Sequence, residues 1–157
     1  MSRLLDRRAF LGAAVASLAA AGAAAHTPYR QWVVYRRKHL LIGSHRKNLE
    51  GYEIAKAVAE TLAKSLPTSK ARVARAPAAT RLASLLATDQ LDLAVLTDAE
   101  MDGMAAGEGD FAPYGAIDLE PLTWLDGPHH LVAHARFKIE HALAVREALD
   151  AHFEAPG

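Results

Sequence analysis

The stretch from Leu40 to Leu66 constrains the fold most, because three kinds of segment follow one another in it without a break. A short apolar run ends at Gly43, and a polar loop rich in cations follows it. Apolar residues then recur at the spacing of an amphipathic helix, which Pro67 ends. A strand that leads directly into a helix is the repeating unit of α/β layers. The stretch therefore predicts the first strand and the first helix of an α/β domain.

The rest of the chain repeats this alternation. Further strands are predicted at residues 71–75, 91–96, 116–125 and 129–135, and further helices begin near Pro77, Asp98 and Ile139. The apolar run at 91–96 is typical of a central strand. Thr97 and Glu100 fit a capping box at the start of the third helix. The predicted fold class is α/β, with a mainly parallel sheet covered by helices on both faces.

The first 25 residues are predicted to be a signal peptide of the twin-arginine type. Arg7-Arg8 precedes an Ala-rich apolar stretch that ends in Ala23-Ala24-Ala25, a small-residue cleavage pattern. A transmembrane helix is the alternative interpretation of this stretch, but the stretch is short for a bilayer. We therefore expect a periplasmic protein with no stable membrane insertion after cleavage.

The remaining chain is divided into a short extension and one domain. Residues 26–38 are expected to form an N-terminal extension, and residues 39–157 a single domain. The sequence contains no cysteine, which excludes disulfides, thiolate metal sites and cysteine nucleophiles.

The loop after the first strand is a candidate anion site. Arg46 and Lys47 lie just before a helix N-terminus, where free N–H groups and the helix dipole favour negative charge. An arginine can also bind a carboxylate or phosphate through two hydrogen bonds. Ligands of such sheets bind beyond the carboxyl ends of the strands, which adds the end of the 91–96 strand. The predicted ligand-binding residues are Ser44, His45, Arg46, Lys47, Tyr52, Thr97 and Asp98.

A set of short motifs occurs in a fixed order along residues 41–136. They are Ile42-Gly43 at a strand end, Gly51-Tyr52, Leu66-Pro67, Leu85-Leu86, Asp92-Leu93-Ala94-Val95-Leu96, Leu119-Glu120-Pro121-Leu122 and His130-Leu131-Val132. With these motifs the segment resembles the first lobe of a type 2 periplasmic solute-binding protein, most similar to the TAXI type that serves TRAP transporters. The resemblance implies a transport-related binding protein with one lobe of a periplasmic-binding-protein-like fold.

The same resemblance implies a small anion or organic acid as ligand, bound between two lobes. The sequence corresponds in length to one of those lobes. We therefore expect that a partner protein, such as a transporter or another periplasmic protein, or a second copy in a homodimer completes the cleft. An open and weaker site on a single lobe is the remaining alternative.

Charge is strongly segregated along the sequence, although the formal net charge is zero. From Arg30 to Arg81 there are twelve Lys or Arg residues and three Glu residues. From Asp89 to Asp126 there are ten Asp or Glu residues and no Lys or Arg. The blocks either neutralise each other within the fold or form a footprint for a protein partner. Nucleic acid is not expected as a partner, because the chain has no basic stripe rich in aromatic residues.

Metal binding is the second functional hypothesis. Cleavage after Ala25 would make His26 the N-terminal residue, whose amine and ring could bind Cu(II) together with another imidazole. His130 and His134 share one face of a predicted strand about 13 Å apart, too far to hold one ion. The main hypothesis includes no cofactor.

Catalysis is not predicted. Ser44 and His45 are adjacent but lack the strand-to-helix turn that exposes a nucleophile. Asp98 and Glu100 are explained as carboxylates at a helix start. The sequence therefore predicts a binding protein and not an enzyme.

Overall fold

The computed structural model describes residue 36 and residues 38–153. It confirms the α/β fold class. The strands are β1 (Leu41–His45), β2 (Arg72–Ala76), β3 (Leu93–Thr97), β4 (Leu119–Asp126) and β5 (His129–His134). The helices are α1 (Leu49–Ser65), α2 (Ala79–Ala87), α3 (Asp98–Ala106) and α4 (Ile139–Asp150), with 3₁₀ turns at Pro67–Ser69 and Gly109–Tyr114.

The predicted signal peptide, most of the 26–38 extension and His26 lie outside these described residues. Within the described part of the chain, no helix has both the length and the apolar character needed to cross a bilayer.

One five-stranded sheet organises the domain, in the order β2-β1-β3-β5-β4. β1 is parallel to both β2 and β3, whereas β5 is antiparallel to both β3 and β4. The predicted central strand is confirmed as β3, and the sheet is mixed because β5 runs against its neighbours. β4 forms one edge, and its register against β5 shifts twice, between Pro121 and Thr123 and between Trp124 and Asp126.

The helices cover both faces of the sheet. Ile42 of β1 is fully buried against a cluster that includes Val58 and Leu62 of α1 and Val145 of α4. The next residue, Gly43, faces the other side, where an added Cβ would lie 3.0 Å from the Leu82 side chain of α2. Neighbouring strand residues point to opposite faces, so α1 and α4 cover one face and α2 covers the other.

A single arginine ties three elements together at the amino end of β3. The Arg136 guanidinium donates to the backbone carbonyls of Leu86 (3.0 Å) and Leu91 (2.6 Å). It also pairs with the carboxylates of Asp92 (3.0 Å) and Asp89 (2.8 Å). The end of α2, the start of β3 and the end of β5 therefore share one charged donor.

We expect Arg136→Ala to lower the free energy of unfolding by about 2–4 kcal/mol, because it leaves two carbonyls and two carboxylates without their donor. Urea denaturation followed by far-UV circular dichroism measures the change. Arg146→Ala is the matched control: its exposed pair with Asp150 spans 3.7 Å, so a change within about 0.5 kcal/mol is expected. Equal effects of the two substitutions would contradict the linking role of Arg136.

His134, at the end of β5, is held in its neutral form. The backbone N–H of Arg136 donates to His134 Nδ1 at 3.2 Å, which requires an unprotonated nitrogen there. Burial and, second, the positive charge of Arg136 lower the pKa of His134 below its ordinary value of 6.5. Around and below that value, His134 is therefore less protonated in the folded protein than in the unfolded chain.

The sign of the pH dependence follows from this lowered pKa. The stabilising contribution of neutral His134 is complete above pH 6.5 and is lost as the pH falls toward the lower pKa of the folded state. We expect His134→Asn to reduce the acid loss of stability between about pH 7 and pH 5, measured as urea midpoints across that range. His152→Asn, at an exposed position, should leave the slope unchanged. An unchanged slope in His134→Asn would contradict the prediction.

Candidate functional site

An open cleft of about 530 Å³ lies at the edge of the sheet where β1, β2 and β3 end. We call it the carboxyl-edge cleft. It is lined by His45, Lys47, Asn48, Glu50, Ala78, Ala79, Thr80, Thr97, Glu100, Asp110, Phe111, Pro128 and His129. The lining includes the starts of α1, α2 and α3, because each of these helices follows the carboxyl end of a parallel strand. This is the edge at which ligands bind in open α/β sheets.

His45 connects the end of β1 to the first turn of α3. Its Nε2 lies 2.6 Å from Glu100 Oε1, and the side chain is 6% exposed. The other carboxylate oxygen, Oε2, accepts the backbone N–H of Thr97 at 3.0 Å, while Thr97 Oγ1 accepts the N–H of Glu100 at 3.3 Å. The predicted capping box is thus confirmed, and the same carboxylate also holds a buried histidine.

A second histidine links the far side of the cleft to the start of α1. His129 is 2% exposed, and its Nδ1 donates to the backbone carbonyl of Asp126 at 3.2 Å. Its Nε2 then accepts from Asn48 Nδ2 at 3.0 Å. Asn48 Oδ1 accepts the backbone N–H of Gly51 at 2.8 Å, as an N-cap. These partners are satisfied together by the neutral form of His129 that carries its proton on Nδ1.

The three helix starts in the cleft differ in how much charge they already carry. α1 is capped by Asn48 and has Glu50 in its first turn. α3 has the capping box and two carboxylates in its first turn. α2 follows Ala78, has no side-chain cap and carries no acidic residue in its first turn. Its first N–H groups have no partner within the helix, so α2 presents the strongest uncompensated positive end.

Of the seven predicted ligand residues, three line the cleft: His45, Lys47 and Thr97. Ser44 is 1% exposed on the α1 side of β1, and its hydroxyl is turned into the interior. Arg46 is exposed but lies outside the lining.

Tyr52 and Asp98 are also placed outside the cleft lining. The guanidinium of Arg75 lies 4.1 Å from the Tyr52 ring centroid, and the ammonium of Lys56 lies 5.0 Å from it. Asp98 pairs with His130 at 2.8 Å. Both side chains are therefore engaged with neighbours on the protein.

Several lining residues were not among the predicted site residues. Asn48 could have been found from its position as an N-cap before a helix. His129 follows the Asp126-Gly127 turn and so begins a strand at the carboxyl edge. Phe111 and Asp110 lie in the 3₁₀ turn after α3, and nothing in their local pattern indicates the cleft.

The two charge blocks are not joined by direct ion pairs in the described part of the chain. Among the described residues, no Lys or Arg between 36 and 81 forms an ion pair with a carboxylate between 89 and 126. The sheet order places the basic β2 at one edge and the acidic β4 at the other. The segregation seen in the sequence is therefore retained on the folded surface.

The described part of the chain contains no set of side chains positioned to bind a metal ion. No cluster of three or more His, Asp or Glu side chains there is arranged to hold an ion. The proposed copper ligand His26 is outside the described residues.

Comparison with known proteins leaves the family open. No protein-family model matches the sequence, and no curated protein matches it significantly.

We expect Glu100→Ala to lower the free energy of unfolding by about 1–3 kcal/mol, because buried His45 Nε2 and the N–H of Thr97 both lose their acceptor. Chemical denaturation measures the change. Asp102→Ala, at an exposed position on the same helix, is the control and should change stability by less than about 0.5 kcal/mol. If both variants are equally stable, the His45–Glu100 contact does not hold β1 to α3.

Proposed function

We propose that this chain is an exported periplasmic binding or accessory protein that recognises a small anionic solute in the carboxyl-edge cleft. It acts without chemistry of its own, as one lobe of a solute-binding protein of the TAXI type would. The export part of the proposal is based on the N-terminal pattern of residues 1–25.

The uncapped start of α2 inside the cleft carries the proposal. A carboxylate or phosphate there accepts the free N–H groups of the first turn and is attracted by the helix dipole. The Lys47 ammonium and the Thr80 hydroxyl belong to the same lining and supply further donors. The anion-binding centre proposed here therefore combines Lys47 from the predicted basic loop with the start of α2.

The carboxylates in the lining limit how large and how highly charged the anion can be. The Glu100 carboxylate accepts hydrogen bonds from His45 and from the backbone N–H of Thr97. Glu50 and Asp110 are exposed at the rim. A ligand with one or two negative charges, placed between Lys47 and α2, avoids these rim carboxylates at the lowest electrostatic cost.

Binding is favoured over catalysis because both histidines of the cleft are engaged. His129 uses both ring nitrogens. His45 Nε2 is held by Glu100, and its Nδ1 has no hydrogen-bond partner but is buried rather than exposed to the cleft. A general base needs a nitrogen within hydrogen-bond reach of the substrate.

We expect a small anion to raise the melting temperature of the purified protein. A panel of phosphate, sulfate and short mono- and dicarboxylates is measured by differential scanning fluorimetry. A ligand present at about 100 times its Kd adds about 2.7 kcal/mol to the stability of the folded state. If no anion in the panel shifts the melting temperature, the proposal of an anion ligand is wrong.

Thr80→Glu and Lys64→Ala form the matched pair for this measurement. Thr80→Glu places a carboxylate in the first turn of α2, where it takes the place of the ligand, so the shift should be lost. Lys64→Ala removes an exposed cation from the last turn of α1, far from the cleft, and the shift should remain. A shift that survives Thr80→Glu would locate the anion elsewhere.

A further inference from the structure

The rim of the carboxyl edge carries positive charge near β2 and negative charge near β4. Arg46 and Lys47 follow β1 and Arg75 lies near the end of β2, so exposed cations mark the β2 end of the edge. Asp126 ends β4, and Asp98 lies beside the β4–β5 turn, where its N–H donates to the Pro128 carbonyl at 3.0 Å. Glu50 also lies at the β2 end, but the three cations outnumber it there, so the net charge of the rim changes from positive to negative along the sheet order.

These cations are available to a partner. Among the described residues, Arg46, Lys47 and Arg75 form no ion pair with a carboxylate, and Asp126 forms none with a cation. Arg75 is held over the Tyr52 ring at 4.1 Å, which orders its guanidinium without neutralising it. Unpaired charges of opposite sign at the two ends of one rim are complementary to the same rim turned around.

We propose that two copies of this chain meet carboxyl edge to carboxyl edge about a two-fold axis perpendicular to the sheet, so that each copy closes the cleft of the other. This inference depends on the proposed function only for the ligand that the joint cavity holds. The dimer itself is derived from the charges and the exposed surface of the rim.

The charges select this axis over the alternative. A two-fold axis perpendicular to the sheet reverses the strand order, so the β2 end of one copy meets the β4 end of the other, twice per dimer. An axis that lies in the sheet plane along the edge would place β2 ends together, with cation against cation. Like charges in contact cost free energy, so the first arrangement is favoured.

The position of the axis also agrees with the cleft. β1 and β4 are separated by three strand spacings of about 4.8 Å each, or roughly 14 Å. The midpoint falls between β3 and β5, where Thr97 pairs with His129. Both residues line one end of the cleft, so in the proposed dimer the two clefts lie side by side across the axis and open toward each other.

The same edge also exposes apolar side chains, which can be buried when two copies meet. Leu49, the first residue of α1, is 67% exposed beside Lys47. Pro128 is exposed on the β4–β5 turn at the other end of the rim. In the proposed dimer Leu49 of one copy faces the β4–β5 turn of the other. Burial of a large exposed apolar side chain next to complementary charges is typical of an interface anchor.

The consequence for the site is that one copy holds only half of it. A ligand at the start of α2 would be open to solvent in the monomer and enclosed in the dimer, and enclosure of most of the ligand surface is what gives small-molecule sites their affinity. Ligand binding and dimerisation are then linked, so each strengthens the other by the same factor.

A charge exchange tests the arrangement. We expect sedimentation equilibrium of the full chain without ligand, up to about 200 µM, to show a monomer–dimer equilibrium that weakens between about 50 mM and 1 M NaCl. Arg46→Glu alone and Asp126→Lys alone should each weaken the dimer about tenfold, since each places like charges together at two symmetric contacts. Mixed in equal amounts, the two variants should recover a heterodimer, because both contacts are then complementary.

The control pair makes the same charge changes away from the rim. Lys64→Glu, in the last turn of α1, and Glu120→Lys, near the start of β4, are exposed and should leave the dimer constant unchanged. Leu49→Ser should weaken the dimer without changing its salt dependence. Recovery in the mixture also shows that the rim variants are folded.

Three results would overturn the proposal. These are a monomer at all concentrations at low salt, equal effects of rim and control variants, and failure of the mixed variants to associate. The anion measurement tests the proposed ligand independently of the dimer. A dimer that no anion stabilises would leave the interface in place and remove the ligand, whereas an anion shift in a monomeric protein would remove the interface alone.

Discussion

The hydrogen bond between His45 and Glu100 is the contact on which the cleft depends. It joins the last residue of β1 to the first turn of α3, at 2.6 Å and almost out of contact with water. The same carboxylate closes the capping box with Thr97, so one side chain sets the end of a strand and the start of a helix. His45 and Glu100 both line the cleft, so this contact holds two of its walls together. Since His45 Nδ1 has no partner, loss of this contact would leave the buried ring without any hydrogen bond, so the spacing resists change.

The local elements of the fold could be predicted from the sequence. β1, the loop and α1 follow from an apolar run, a polar loop and helical spacing, and the capping box follows from Thr97 and Glu100 alone. The order of the strands could not be predicted in this way. β5 inserts between β3 and β4, and this pairing joins residues more than 30 positions apart, such as Leu93 and Ala133. Periodicity reports which face a residue takes, but not which strand lies beside it.

The candidate site shows the same limit. Lys47 could be placed at the carboxyl edge because a loop follows a strand end, and Thr97 because it ends the central strand. Ser44 does not line the cleft because neighbouring residues of a strand point to opposite faces of the sheet. His45 faces α3, so Ser44 faces the other side. The bond between Asn48 and His129 spans 81 positions in the sequence, and no spacing rule connects such residues. The role proposed for the start of α2 was also not predictable, since it depends on the absence of a cap at Ala78 and not on any charged residue.

The irregular register of β4 limits the addition of strands from other chains to the edge of the sheet. A regular edge strand offers a row of free N–H and C=O groups onto which another chain can add its own strand. Pro121 lacks an N–H group, and the two register shifts bend the edge away from a straight ladder. A chain whose two sheet edges carry opposite charge would otherwise be drawn into head-to-tail stacks without an end. The irregular register of β4 thus disfavours growth of the sheet by addition of further strands.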